Sequence, residues 1–440
     1  MPYSPDSEAE FFLQQGLQLS QAGAFEEAVI SLDRALRLCP HWHQIWYYRG
    51  IALYELGRFE EAVTSLTQTL DLKPVFPEAL NNRGMALFCL GSYEAAIASY
   101  DKALQYKPDF HQVWYNRGNA FDKCGHYQAA LESYDKALEL EPDYAKSWYN
   151  RGIALCKLGR YEEGIASYDQ AIAFRPHYSN AWYNRANALF QLQRYLEALS
   201  SYERVLTIRP DWYGVWYNRG NVLYRVGRYE EATISYSEAV RLNPNLYEAW
   251  YHRGKALDAL GRYDDAIASY NRALELKPDL QSAWYHWGSA LYKSGRYEAA
   301  IASYDQVIHL NPHFAKAWSS RGTAFRKLGM YAEAITSYEK AVQHQPDLYE
   351  AWHGQGVALG HLGQNEAAIA SYDHALAIHP EFFPAWYSRG ITLSHMGHYE
   401  AAVASYDRAL AIKPDSPDAI SRRNLALSLC AGNSEPMTLS

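Results

Sequence analysis

The chain has 440 residues, 48% of them hydrophobic and 15% aromatic, with a formal net charge of −8. That apolar content excludes global disorder, and the acidic balance argues against a general nucleic-acid binder, which needs a basic stripe. Five cysteines (Cys39, Cys89, Cys124, Cys156 and Cys430) without CxxC spacing read as reduced thiols, and no apolar run reaches the roughly 18 residues of a membrane span. The opening residues lack the basic and apolar regions of a signal peptide. A soluble cytoplasmic protein is the expectation, with no membrane insertion and no nucleic acid among its partners.

Residues 1–8 are expected to form a tail. From residue 9 one period of 34 residues governs the chain. Proline recurs at that interval from Pro40 to Pro414, and tryptophan at Trp46 and then without a break from Trp114 to Trp386. A period of this size marks stacked repeats rather than separate domains. Twelve repeats run over 9–416 when numbered to put Trp at position 4 and Pro at position 32; Phe12 and Leu80 replace Trp in the first and third. Positions 3, 4, 7, 8, 10, 11 and 14 share one face at 100° per residue and predict a first helix. Glycine at position 15 ends it, and a second helix, such as 161–174, runs toward the proline. Residues 417–430, "PDAISRRNLALSLC", repeat the first-helix pattern with Ile420 for Trp and Asn424 for Gly. They are expected to cap the last apolar face, with 431–440 as a tail. The fold class is all-α: an α-solenoid of twelve helix–turn–helix repeats plus a C-terminal capping helix.

W-x3-G-x2-L followed by Ala, an aromatic, Ala and Pro at these offsets resembles the tetratricopeptide repeat, over about residues 9–430. The recurring "WYNRG" is similar in wording to long arrays common in cyanobacteria. Position 7 departs from the family pattern, holding Arg where Leu is usual. The resemblance implies a superhelix with a concave groove that binds extended peptides. It also implies that glycine at position 8, present in eleven repeats, packs against the small residue at position 20, such as Ala130 or Ala198.

Arginine at position 7 (Arg49, Arg117, Arg151 and others) falls near the centre of the buried face, where an unpaired guanidinium is costly. Acids at position 25 (Asp33, Asp101, Asp135 and others) are the candidate partners, in the same repeat or the next. Pairing within the repeat satisfies six of nine acids, and pairing with the next repeat satisfies eight, so counting favours the bridge between repeats.

No constellation carries chemistry. His252 and His286 share position 6 in adjacent repeats, and His309 and His313 bracket Pro312 without the Glu of HExxH; the sixteen histidines read as surface residues. "GQGVALG" at 354–360 follows no strand and is not a phosphate loop. The expectation is a non-enzymatic protein without metal or cofactor.

Positions 2, 5, 6, 9, 12 and 13 form the other face of the first helix. Position 6 carries Asn82, Asn116, Asn150, Asn184 and Asn218, and position 9 adds Asn119, Asn187 and Asn221. Position 5 carries Tyr115, Tyr149, Tyr183, Tyr217, Tyr251 and Tyr285. An Asn amide offers donor and acceptor together to a peptide backbone, and Tyr adds rigid contact area. Asn119 with Asn150, and Asn187 with Asn218, resemble half of the family's chaperone-tail clamp, but Tyr replaces its Lys at position 5. In repeats four to ten this face holds Lys123, Lys146, Lys157, Arg225, Lys255, Lys293, Lys316, Arg326 and Lys327 against Asp122, Glu248 and Asp258. The expected function is a scaffold or assembly factor that binds extended, acidic segments of one or more proteins in its groove. The alternative is an architectural spacer, or the regulatory arm of an enzyme carried on a separate chain.

Overall fold

The structure is a computed structural model that describes residues 5–432; residues 433–440 of the expected C-terminal tail lie outside the described residues. Twenty-five helices and no strand are present among them, from Pro5–Gln21 to Pro417–Gly432. The first helix begins at Pro5, inside the segment expected to be a tail. The helices follow the period: Ala145–Lys157 and Tyr161–Phe174 form the fifth repeat, and from Phe25 to Ile412 the others repeat those bounds at intervals of 34. The fold is an all-α solenoid. The chain divides into two compact units, one reaching Asp211 and one starting at Trp212, and each is described by itself.

Three devices recur along the array. Glycine at position 15 adopts φ between 73° and 82° and turns the chain out of the first helix. In the sixth repeat that position is Gln193, which takes φ 59° without glycine's freedom. The Trp indole Nε1 then donates to the carbonyl of the preceding proline, as in Trp114 to Pro108 and Trp148 to Pro142, both at 2.8 Å. The indole thus pins the loop that enters its own helix.

Glycine at position 8 serves a different neighbour from the one expected. A Cβ on Gly118 would lie 2.5 Å from Cε1 of Tyr134, and one on Gly254 would lie 2.6 Å from that of Tyr270. The glycine makes room for the ring at position 24, which is a fully buried Tyr in repeat after repeat (Tyr100, Tyr134, Tyr168, Tyr202, Tyr236, Tyr270). Position 20 contributes backbone instead: a Cβ on Gly356 would approach the Ala368 carbonyl at 3.0 Å. A phenol needs both a slot and a hydrogen-bond partner, and Tyr134 donates to Asn119 Oδ1 at 2.9 Å.

The arginines bridge consecutive repeats. Arg49, Arg117, Arg151, Arg185, Arg321 and Arg389 donate through Nε to Asp33, Asp101, Asp135, Asp169, Asp305 and Asp373 at 2.6–2.8 Å, and Arg423 bonds Asp407 in the same way. Their surroundings are wetter than expected: in the Arg151–Asp135 pair the side chains are 23% and 48% exposed. Position 7 therefore lies at the edge of the apolar face, with its carboxylate in water. Arg49, Arg117, Arg151, Arg185, Arg321 and Arg389 each have a second partner, a serine, that the sequence reading missed. Arg151 Nη1 donates to Ser167 Oγ at 2.7 Å, and the Ser167 hydroxyl in turn donates to the Glu163 carbonyl. Serine occupies that position in all twelve repeats. Where the acid is absent, the hydroxyls take over: Arg253 donates to Ser237 and Ser269, and burial lowers its pKa.

Candidate protein-binding face

Within each unit, consecutive first helices touch directly, as Pro77–Cys89 touches His111–Lys123, and consecutive second helices make no comparable contact. First helices therefore line the inner side of each unit. Positions 5, 6, 9, 12 and 13 of successive first helices form one surface there.

In the N-terminal unit the asparagines and tyrosines meet in rungs between repeats. Asn82 Nδ2 donates to the Tyr47 hydroxyl at 3.3 Å, Asn150 to Tyr115 at 3.2 Å, and Asn184 to Tyr149 at 3.0 Å. Asn116 reaches Asn81 Oδ1 instead, at 3.0 Å. Asn119 and Asn150 do come together, at 2.8 Å, so this half-clamp bonds to itself. Position 9 has a further structural task, because Asn119 and Asn187 accept the buried phenols of Tyr134 and Tyr202. Tyr183 lies half-buried on the same face.

The C-terminal unit continues the rungs with other residues. Tyr251 meets His286 Nδ1 at 3.4 Å, Tyr285 meets Ser320 at 3.4 Å, and His353 meets Ser388 at 3.2 Å. Asn221 accepts from Tyr236 at 2.9 Å. Tyr217 packs edge-on to His252, with ring centroids 5.8 Å apart, and Asn218 is half-buried beside it. His252, His286 and His353 are thus half-buried rather than fully exposed on the surface. Burial lowers the pKa of all three, to about 4 for His252 and His353. Among the described residues no three His, Cys, Asp or Glu side chains converge as a metal site would require, and no disulfide joins the cysteines.

The expected cations divide into two groups. Lys157 is held by Asp122 at 2.8 Å and Lys293 by Asp258 at 2.9 Å, so neither offers a full charge to a ligand. Lys123 and Arg225 are exposed. Lys255 lies over the Tyr224 ring at 5.0 Å, and burial followed by the Arg225 charge lowers its pKa. The sequence reading also missed position 34, the aromatic that packs against the rung: Tyr115 meets Tyr144 edge-on at 5.1 Å and Tyr149 meets Tyr178 at a tilt at 4.8 Å. Its recurrence just before most first helices, as at Trp42, Phe76, Phe110, Tyr144 and Tyr178, was the available signal.

Family models described as tetratricopeptide repeat match residues 47–110, 217–280 and 285–349, and further models of that description match 111–144, 143–211, 177–244, 349–382 and 383–416. The chain belongs to the tetratricopeptide repeat family. A tetratricopeptide array of this kind supports a protein–protein interaction scaffold. No match is found among curated proteins. Among solved structures, YrrB, described as a TPR protein with an unusual peptide-binding site, is 24% identical over 43% of this chain and 97% of its own, with a TM-score of 0.40. The Cut9–Hcn1 complex is 14% identical over 96% and 98%, with a TM-score of 0.44. The C-terminal part of a TPR protein from Cytophaga hutchinsonii is 18% identical over 55% and 98%, with a TM-score of 0.48. These likenesses are of the fold alone. Among the described residues no helix is long and apolar enough to cross a membrane.

Proposed function

We propose that this tetratricopeptide array is a scaffold whose inner face holds extended, acidic segments of partner proteins. What carries the reading is the set of groups the rungs leave over. In Tyr115/Asn150 and Tyr149/Asn184 the phenol oxygen accepts, so its O–H remains a donor and the Asn Oδ1 remains an acceptor. Among the described residues neither has a further partner. An extended peptide unit requires one of each, for its C=O and its N–H. Helices packed about 10 Å apart would meet a strand rising about 3.3 Å per residue once every three residues, so Asn82 to Asn184 spans about ten residues. The exposed charges of Lys123 and Arg225, with Lys255, Lys146 and Lys316, set the acidic preference within an acidic protein, because local potential steers encounter.

The architectural spacer has its own support, since the rungs of the N-terminal unit satisfy their Asn amides inside the array. Anisotropy titrations of acidic, neutral and basic peptides of about ten residues, at two salt concentrations, separate the readings. The scaffold reading predicts measurable binding in the order acidic, neutral, basic, with the acidic peptide weakened most by salt. Absence of binding by all three supports the spacer.

A further inference from the structure

On the inner face, position 12 of one repeat meets position 13 of the next. Asp122 holds Lys157 there, and Asp258 holds Lys293. The tenth repeat inverts the pairing: position 12 is Arg326, and position 13 of the eleventh repeat is His361. The His361 ring is stacked on Tyr331, with centroids 4.5 Å apart and planes 7° from parallel. Among the described residues no carboxylate pairs with Arg326, and its Nε is shut off from solvent without a hydrogen-bond partner. A guanidinium N–H withdrawn from water and left unpaired is costly to the free protein.

Beside it the face is hollow. Position 12 of the eleventh repeat is Gly360, where the tenth has Arg326; position 6, Gly354, is filled by the Tyr338 ring. A Cβ on Gly360 would meet nothing nearer than Thr392 Oγ1, at 3.8 Å. A cavity of about 280 Å³ opens there, with Gly360, His361, Tyr372, Ser388, Thr392 and His395 in its wall. No acidic residue lines it. The Arg326 charge reaches this wall, opposing the burial that pushes the Tyr372 phenol up to about 12. It also adds to the burial that holds the nearby His353 at about 4.

We propose that Arg326 and the hollow at Gly360 form an anion subsite that takes one Asp or Glu side chain of a bound segment. This rests on the acidic-segment reading above and names its anchor. The guanidinium supplies the charge, and the Tyr372 hydroxyl supplies a donor for a carboxylate oxygen. A bound carboxylate restores the compensation that the register provides at Asp122 and Asp258.

The test is an anisotropy titration of the full chain with an extended peptide carrying Glu and a matched peptide carrying Gln, beside a thermal melt. Arg326→Met should weaken the Glu peptide about tenfold or more, the fold-change of one lost charge-assisted hydrogen bond, and leave the Gln peptide unchanged. The same variant should melt higher than wild type when free, because an apolar chain replaces an unpaired cation. Gly360→Leu fills the hollow without altering charge and should weaken the Glu peptide selectively as well. If wild type prefers Glu over Gln and both variants retain that preference in full, the subsite is wrong while the acidic-segment reading stands. If wild type does not distinguish Glu from Gln, both fall. Tighter binding of a phosphoserine peptide that is lost in Arg326→Met would replace the carboxylate with a phosphate and overturn the assignment.

Discussion

Gln193 stands at φ 59° where the other repeats use glycine, and an L side chain in the left-handed region costs about 1–2 kcal/mol. Gln193→Gly should therefore stabilise the protein, by about 1 kcal/mol after the glycine's greater freedom in the unfolded chain is subtracted. The measurement is a urea midpoint that rises at constant slope; a falling midpoint would show that the Gln side chain contributes more than its backbone costs. The inner-face histidines give a second residue-scale expectation. Burial lowers the folded pKa of His252 and His353 from 6.5 to about 4, so between those values the unfolded chain binds more protons than the folded one. Stability then falls as pH drops through 6.5 toward 4 and is flat above that window. His252→Asn, which restores the residue type of the preceding repeats, should flatten part of this slope in melts from pH 7 to 4.5. An unchanged slope would place the proton uptake elsewhere. Position 6 was legible as an inner-face position in the sequence, but its burial was not, because the rings that cover His252 arrive from Tyr217 and Tyr236 on neighbouring elements.

Between elements, the Asp–Arg bridge was legible because both partners vary, and an acid lost at Asn271 coincides with an arginine lost at Trp287. The serine and the buried tyrosine were not: a residue that hardly changes along the array leaves no partner whose variation could reveal it. The same invariance hid the reason for glycine at position 8, which is the ring at position 24. The exposure of the acid sets the size of the expected effects. A double-mutant cycle on Asp135 and Arg151, bonded at 2.6 Å, should give a coupling of about 0.5–1 kcal/mol, as for a half-exposed pair. Asp135 and Arg117 should give none. Ser167→Ala removes a buried hydroxyl that accepts from Arg151 and donates to the Glu163 carbonyl, and should cost about 1–2 kcal/mol. A larger loss from Asp135→Ala than from Ser167→Ala would reverse this ranking and place the bridge in a drier setting than its geometry indicates.

For the whole molecule, the periodicity made the repeat architecture readable in advance, since a strict 34-residue recurrence leaves little choice of fold. The ends were less readable. The terminal helix Pro417–Gly432 packs Ala426 against Leu393, Ala402 and Tyr406, yet leaves Ile420, Leu425, Leu427 and Leu429 at 40–60% exposed. One helix face cannot bury every apolar side chain that the segment carries. Ending the chain after Ser416 should uncover the cluster around Leu393 and Tyr406 and cause concentration-dependent aggregation in light scattering; a monodisperse, equally stable truncation would deny the helix its capping role. The central claim is that the rungs read peptide backbone while the cations read charge. It is tested most directly by titrating acidic and neutral extended peptides into two variants. Asn116, Asn150 and Asn184 changed together to Ala should weaken both peptides by the same factor, whereas Lys123→Glu, Arg225→Glu and Lys255→Glu together should weaken the acidic peptide alone and flatten its salt dependence. Peptide binding that survives the triple asparagine change undiminished would contradict the account.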